Sequence, residues 1–324
     1  MTDLPPPGTR VSLRYRLPAG STPPHTDVVG HLVEVGPCVR VRTRRGDIVD
    51  VIPADVVAVR VVPELPVRTG EIRNLEHAAA LGWPGTEWQW QDGWLLRHGL
   101  GKTRRANSAV PLRFTSHTEL VGAARWYASR GVPALISAAD RLFRVPEGVP
   151  VEAETLLLTA DLPMVKMPNV TMPPPGSPNV KMSSLGSPNV KMSSQPSAAW
   201  KAINLRDIPD EVLTSVADGE VAFGELAGAA AGRVAVTDAP DGTRWAGLSA
   251  VQVAEVARRQ GLARSLCAGL LDWARGRGAK RAYVQVVTEN TAARTLYESM
   301  GFTAHHRSRY VRAEDLLSHD PALG

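Results

Sequence analysis

The sequence predicts an α+β protein: a mixed open sheet with helices, preceded by a small all-β barrel. Three observations predict it. Short β-branched segments at close spacing fill residues 8–62. From residue 200 onward, strand patterns alternate with helical ones. Between these regions a proline-containing repeat fits neither pattern. The 324 residues, 44% hydrophobic and 21% charged, are ordinary for a folded chain and long enough for more than one domain.

The first domain spans residues 1–66. Its predicted strands are 10–16, 28–35, 39–44, 47–52 and 56–61, separated by Pro-Ala-Gly, Gly-Pro and Arg-Gly-Asp turns. Val39-Arg40-Val41-Arg42 alternates, with valine facing in and arginine facing water. We read it as an SH3-like barrel. It carries no cluster of aromatic or acid/base groups, and so no evident chemistry. Arg40, Arg42 and Arg44 share one strand face, yet eight Arg stand against seven acidic residues here. So nearly neutral a domain argues against a nucleic-acid partner.

Residues 67–162 change character. A helix is predicted over 71–81, followed by a stretch holding Trp83, Trp88, Trp90 and Trp94, half of the eight tryptophans. Aromatic clusters of this kind are more often core than ligand cleft. Strands at 93–98 and 106–112 flank the basic turn Gly101-Lys102-Thr103-Arg104-Arg105. A helix over 118–130 ends at Gly131 and Pro133, and strands follow near 134–137 and 153–159. Residues 163–199 contain three decamers, 168–177, 178–187 and 188–197, with five of the seven methionines. Proline recurs where a strand needs its amide, so a flexible linker is expected.

The last domain, 200–324, opens with a helix at 207–216 and a hairpin at 219–226 and 233–237. A strand at 244–253, an amphipathic helix at 258–277, a strand at 282–287, a helix at 290–300 and a strand at 302–312 complete it.

Several classes are excluded or disfavoured. Arg or Asp interrupts every apolar run, so no membrane span is expected, and the N-terminal segment lacks a signal-peptide core. Two cysteines, Cys38 and Cys267, are too few for a disulfide framework or a cysteine metal site, and fit a reduced, cytoplasmic setting. No metal is expected. Neither GxGxxG nor GxxxxGK(S/T) occurs after a strand.

Chemistry concentrates at residues 250–264. There a strand ends and a helix opens at a glycine-containing turn, where free amides and the helix dipole favour an anion. Gly261 and Ala263 keep that turn open, and Arg258, Arg259 and Arg264 add charge. Arg258-x-x-Gly261-x-Ala263 resembles the (Q/R)xxGx(G/A) signature of GNAT-superfamily N-acetyltransferases. Asn290-x-x-Ala293-x-x-Leu296-Tyr297-x-x-x-Gly301-Phe302 resembles the family's second hallmark, at the expected separation.

The resemblance implies a GNAT-type mixed sheet and acetyl-CoA as co-substrate. Val251 and Val253 would pair with the pantetheine arm. The turn Arg258, Arg259, Gln260, Gly261, Leu262, Ala263 and Arg264 would hold the pyrophosphate, and Asn290 the cofactor's amide region. Tyr297 would protonate the departing thiolate, and the acceptor would be a primary amine on a small molecule or a protein. Transfer of another acyl group, or coenzyme A sensing without turnover, are the alternatives. Cys267, inside a predicted helix, is expected to be structural. No general base is evident: Glu220, Glu225 and Glu289 are candidates, each equally a surface carboxylate.

Residues 94–97 with 103–108 resemble the degenerate first half of actinobacterial tandem-GNAT proteins, which carry an SH3-like domain ahead of the two halves. This half would shape the acceptor cleft, with Arg104, Arg105 and Asn107 lining it or capping a turn.

Overall fold

The computed structural model describes residues 4–43, 47–62, 66–113, 115, 117–162, 165, 190–204 and 207–319. The chain divides into two compact units, 1–66 and 67–324.

In the first unit β1 (Arg10–Arg16), β2 (His25–Val35), β3 (Val39–Thr43), β4 (Ile48–Val51) and β5 (Val56–Val61) form one antiparallel sheet, ordered β4-β3-β2-β1-β5. Alternation puts Val11, Leu13, Val39 and Val41 into its core. On the opposite side Arg40 is occupied: its Nε lies 2.9 Å from Asp50 and its Nη1 3.2 Å from Glu34. Arg44 lies outside the described residues.

The second unit is built on one eight-stranded sheet. Ahead of it come α1 (Thr69–Leu81) and a small sheet of β6 (Glu87–Gln91), β7 (Trp94–His98) and β8 (Val110–Pro111). Then follow α2 (His117–Ala128), β9 (Leu135–Ala139), β10 (Ala153–Asp161), β11 (Lys191–Ser193), α3 (Ala198–Asn204) and α4 (Asp210–Leu213). The C-terminal part supplies β12 (Gly219–Leu226), β13 (Ala230–Asp238), β14 (Arg244–Val253), α5 (Leu262–Arg275), β15 (Arg281–Val287), α6 (Thr291–Ser299), β16 (Thr303–Arg312) and α7 (Ala313–Ser318). The large sheet runs β11-β12-β13-β14-β15-β10-β16-β9. Its pairs are antiparallel except β14–β15, whose parallel pairing needs the α5 crossover between them.

Two expectations change here. Residues 67–162 are not a separate half. β10 lies between β15 and β16, and its apolar run Leu156-Leu157-Leu158 is buried by strands on both sides. A central strand cannot belong to a domain of its own. The repeats up to residue 189 lie outside the described residues, but the end of the expected linker is structured. Lys191–Ser193 pairs with Phe223–Glu225 as an edge strand, and the Val190 side chain fills the space over Gly269, where a Cβ would come within 2.4 Å of it.

Two layers cover the sheet. On one face Val284 and Val286 of β15 join Leu266 and Leu270 of α5, Tyr297 of α6 and Met300, which caps α6. On the other, Tyr283 packs with Leu75 and Ala78 of α1. Residue alternation along β15 therefore places Gln285 on the α1 face. The tryptophans divide: Trp83 and Trp94 are buried, Trp88 and Trp90 exposed.

Candidate active site

The site begins where two parallel strands part. β14 and β15 pair from Trp245↔Arg281 to Leu248↔Val284 and no further, although β14 runs on to Val253 and β15 to Val287. A bulge bends β14 at this point. Its register to β13 slips between Ala231 and Arg233, and Ala250 takes a left-handed φ of 51°. The buried side chain of Asn204 donates to the Ala250 carbonyl at 2.6 Å and holds the bulge. Ser249 accepts from Trp83 Nε1 at 3.3 Å. No sequence signal marks Asn204 for this role.

A cleft of about 720 Å³ lies on the α5/α6 side, lined by Val251, Val253, Gly261, Ala263, Leu296 and Tyr297 among others. A second, of about 850 Å³, reaches the α1 side past Trp83, Arg105, Ser249 and Gln285. Val251, Asn290, Ala293 and Tyr297 border both, so the two clefts meet where the strands part.

The turn before α5 has the form an anion needs. Gly261 caps the helix at φ 78°, a left-handed conformation that suits glycine, and Arg259 shares it at φ 62°. The helix's first bond runs from Ser265 N to the Gly261 carbonyl, 3.1 Å. The amides of Leu262, Ala263 and Arg264 precede it and have no intrahelical acceptor. The arginine side chains contribute less than expected. Arg264 donates to Ser299 Oγ at 2.5 Å, so its amide alone belongs to the turn. Arg258 bends back toward the Val253 carbonyl, at 3.5 Å. Gln260 is exposed and does not line the cleft.

Asn290 is the N-cap of α6. Its Oδ1 accepts from Ala293 N at 3.0 Å, which leaves its amide hydrogens to donate into the clefts. Tyr297 is 4% exposed, with its ring edge-on to Phe302 at 5.6 Å. Burial first, then Cys267, pushes its hydroxyl well above the usual tyrosine range, so it carries its proton at any physiological pH. Burial likewise pushes the Cys267 thiol up to about 12, which removes it as a nucleophile.

The three carboxylate candidates are absent from both cleft linings. Glu220 pairs with Arg277 at 2.9 Å, Glu225 accepts from Ser197 at 2.5 Å, and Glu289 is exposed. Among residues 103–108, Arg104 and Arg105 line the second cleft. Asn107 instead organises the turn, accepting from the Gly99 and Gly101 amides at 2.8 Å each.

A buried polar chain escapes sequence reasoning. Glu76 Oε1 lies 2.8 Å from His306 Nε2, and His306 Nδ1 2.7 Å from His305 Nδ1. Glu76 sits on the apolar face of α1 beside Ile72 and Leu75, an acid out of pattern and the one signal available. Burial, then His306 and Arg281, lowers His305 to about 3. Its neutral form is therefore the folded form, while the unfolded chain protonates near 6.5. Stability from this residue is full above pH 6.5 and is lost as pH falls from there toward 3. In urea unfolding between pH 7 and 5, His305→Gln should show a shallower fall of stability than the native chain, by up to about 1.4 kcal/mol per pH unit. Parallel curves would refute this.

Among the described residues there is no His/Cys/Asp/Glu group able to hold a metal and no helix long and apolar enough to cross a membrane.

Comparison with known proteins agrees with this geometry. A family model described as the C-terminal part of "Probable histone acetyltransferase Rv0428c" matches residues 69–311, and that of the Rv0428c N-terminal Sm-like domain matches 5–60. Sm-like thus takes the place of SH3-like for the first unit. Probable histone acetyltransferase Rv0428c of Mycobacterium tuberculosis is 45% identical over 311 residues, 95% of this chain and 96% of its own. The uncharacterized N-acetyltransferase YobR of Bacillus subtilis is 27% identical over 75% of this chain and 99% of its own. A solved GCN5-related N-acetyltransferase from Kribbella flavida shares the fold at TM-score 0.50 and 14% identity, covering 75% of this chain and 94% of that one. The parted strands, the open helix turn and these relatives lead to one conclusion: the chain belongs to the family of the probable histone acetyltransferase Rv0428c, an acetyltransferase family, and has the fold of a GCN5-related N-acetyltransferase.

Proposed function

We propose that the protein moves an acetyl group from acetyl-CoA directly onto a primary amine. The observation that carries this reading is the pair of clefts meeting at the end of the β14–β15 pairing, one on each face of the sheet. Bound acetyl-CoA supplies an activated acyl group as a thioester. The amides of Leu262, Ala263 and Arg264, with the α5 dipole, hold its pyrophosphate. The backbone of Val251 and Val253 lies along the pantetheine arm, and the Asn290 amide donates to it. The amine arrives from the α1 face, and alignment at the opening lowers the barrier. The neutral amine attacks the thioester carbonyl, the C–S bond breaks as Tyr297 donates its proton to the departing sulfur, and the proton shed by the nitrogen passes through water to restore Tyr297.

Two unpaired cysteines, Cys38 and Cys267, fit action in a reducing compartment such as the cytoplasm. The protein relative's name makes a protein lysine one acceptor class to test, beside small amines.

Calorimetric titration with acetyl-CoA, followed by thiol release across a panel of amines, tests the reading. Binding with amine-dependent thiol release is expected. Absence of binding overturns it, and binding without release for every amine makes the protein a coenzyme A sensor.

A further inference from the structure

The inner end of the second cleft has a charge pattern that selects an acceptor, an inference that rests on the acyl-transfer reading. A chamber of about 20 Å³, room for one or two small polar atoms, continues the cleft between α1 and the sheet. Trp83, Arg105, Ser249 and Gln285 line both spaces, so they adjoin.

Two guanidiniums, Arg97 and Arg105, line this end, and a third, Arg233, lies behind the Trp83 ring. Arg105 is half-buried, and its Nε donates to Gln285 Oε1 at 3.0 Å while its Nη2 donates to the Gln285 carbonyl. Arg97 is buried and donates only to neutral oxygens, of Ser108 and Trp83. Arg233 lies over the Trp83 ring at 4.0 Å and donates to three backbone carbonyls. None of the three has a carboxylate within ion-pair distance among the described residues. Glu76 alone brings an acidic group to the chamber wall, and His306 engages it at 2.8 Å. At the outer rim the cations are already matched: Lys102 pairs with Asp207 at 2.6 Å, and Arg104 faces Glu152 at 3.7 Å.

Two cations against one carboxylate, which His306 already engages, leave an excess of positive charge in a partly desolvated cleft, and this favours an anion over a cation. The Nε–Nη2 fork of Arg105 is taken by Gln285, which fixes the guanidinium and leaves its Nη1 side to meet a carboxylate. Position adds a length. Gln285, which Arg105 clasps, is the residue after Val284, where the β14–β15 pairing ends. One strand residue spans about 3.3 Å, so the residue that Arg105 holds adjoins the opening, and an acceptor with its anionic group near its amine suits this spacing.

We propose that the acceptor is a small zwitterionic amine of amino-acid type, its carboxylate held by Arg105 at the inner end of the cleft and its amine at the parted strands. A lysine-rich histone-type peptide carries the opposite charge and is disfavoured there. A phosphate close to the amine shares the chemistry, and the narrow chamber favours the planar carboxylate.

The test compares thiol release for each amino acid of a panel with that for its own carboxamide, with phosphoethanolamine, spermidine and a lysine-rich peptide as further arms. The carboxamide has the more readily deprotonated amine, so a preference for the acid reflects recognition. At least one amino acid should exceed its amide about tenfold or more in kcat/KM, and Arg105→Gln should abolish that ratio. Arg105→Lys should restore part of it, with acetyl-CoA affinity unchanged in both variants. Phosphoethanolamine as the best acceptor would move the assignment to phosphate and overturn the carboxylate. Amides or the lysine-rich peptide outperforming every acid would overturn the proposal, as would an unchanged ratio in Arg105→Gln. Should that variant misfold, the native ratio and Arg105→Lys decide. If acetyl-CoA binds and no amine releases thiol, the transferase reading has failed. Calorimetry of the same panel on the coenzyme A-loaded protein then judges the inference alone: amino acids must bind better than their amides, or it falls too.

Discussion

Tyr297→Phe is expected to lower kcat by about 10²-fold or more while leaving acetyl-CoA affinity nearly unchanged. Tyr297 borders both clefts, and burial with Cys267 holds its hydroxyl's proton in place. Removing it takes away a proton donor to a poor leaving group without altering shape. Phenylalanine keeps the edge-on contact with Phe302, so the variant should fold. The loss should fall on kcat, because the interaction forms only as the sulfur departs. Thiol-release kinetics with acetyl-CoA affinity by calorimetry check it, and equal turnover would remove Tyr297 from the mechanism. Cys267→Ala gives the matching control: with its thiol raised to about 12, that variant should stay active.

The legible parts of the site are those made of contiguous chain. The turn at Gly261 and the cap at Asn290 depend on local backbone conformation, which residue type at a fixed spacing reveals. The helix after the turn starts at Leu262 rather than 258, because Arg259 and Gly261 both take a left-handed φ that no helix tolerates. The hairpin at 219–237 and the strands at 244–253 and 282–287 were legible for the same reason, since residue pattern along a strand is a local signal, whereas the parallel pairing of those two strands is not.

What stayed hidden depends on distant partners. β10 reads as an apolar strand in the sequence, but nothing in its residues says that its neighbours lie at 281–287 and 303–312. Asn204 is unremarkable until the bulge at Ala250 meets it, 46 residues away. Arg105 looked like one member of a basic turn, and its contact with Gln285 spans 180 residues. The parallel case is Glu225, an eligible base by type and removed only by the distance the fold puts between it and the opening. The resemblance implied a pyrophosphate-binding turn, and the proposed acceptor site is a second positive region, on the opposite face.

Arg233→Met is expected to be the most destabilising single change, by about 3–5 kcal/mol. Arg233 is fully buried on β13, yet its guanidinium ties two other segments to that strand by donating to the carbonyls of Leu213 at 2.7 Å, Ser215 at 2.8 Å and Gly82 at 2.9 Å. Burial costs this cation enough to lower it to about 9, so removing the charge returns part of the loss. The carbonyls decide the sign. A buried ion pair can be replaced whole by apolar side chains, but backbone acceptors cannot be mutated away, and each one left unsatisfied costs about 1–3 kcal/mol. Methionine fills similar volume, which keeps a cavity from confusing the result. Arg233→Lys should recover little, because one ammonium cannot reach three carbonyls set for a planar fork. The end of α1, the end of α4 and Trp83 all loosen together, so the acceptor cleft should suffer before the turn at Gly261 does. Urea unfolding should show the midpoint drop, and below it acetyl-CoA affinity should persist while KM for the amine rises. A midpoint within experimental error of the native chain would show that water satisfies those carbonyls instead.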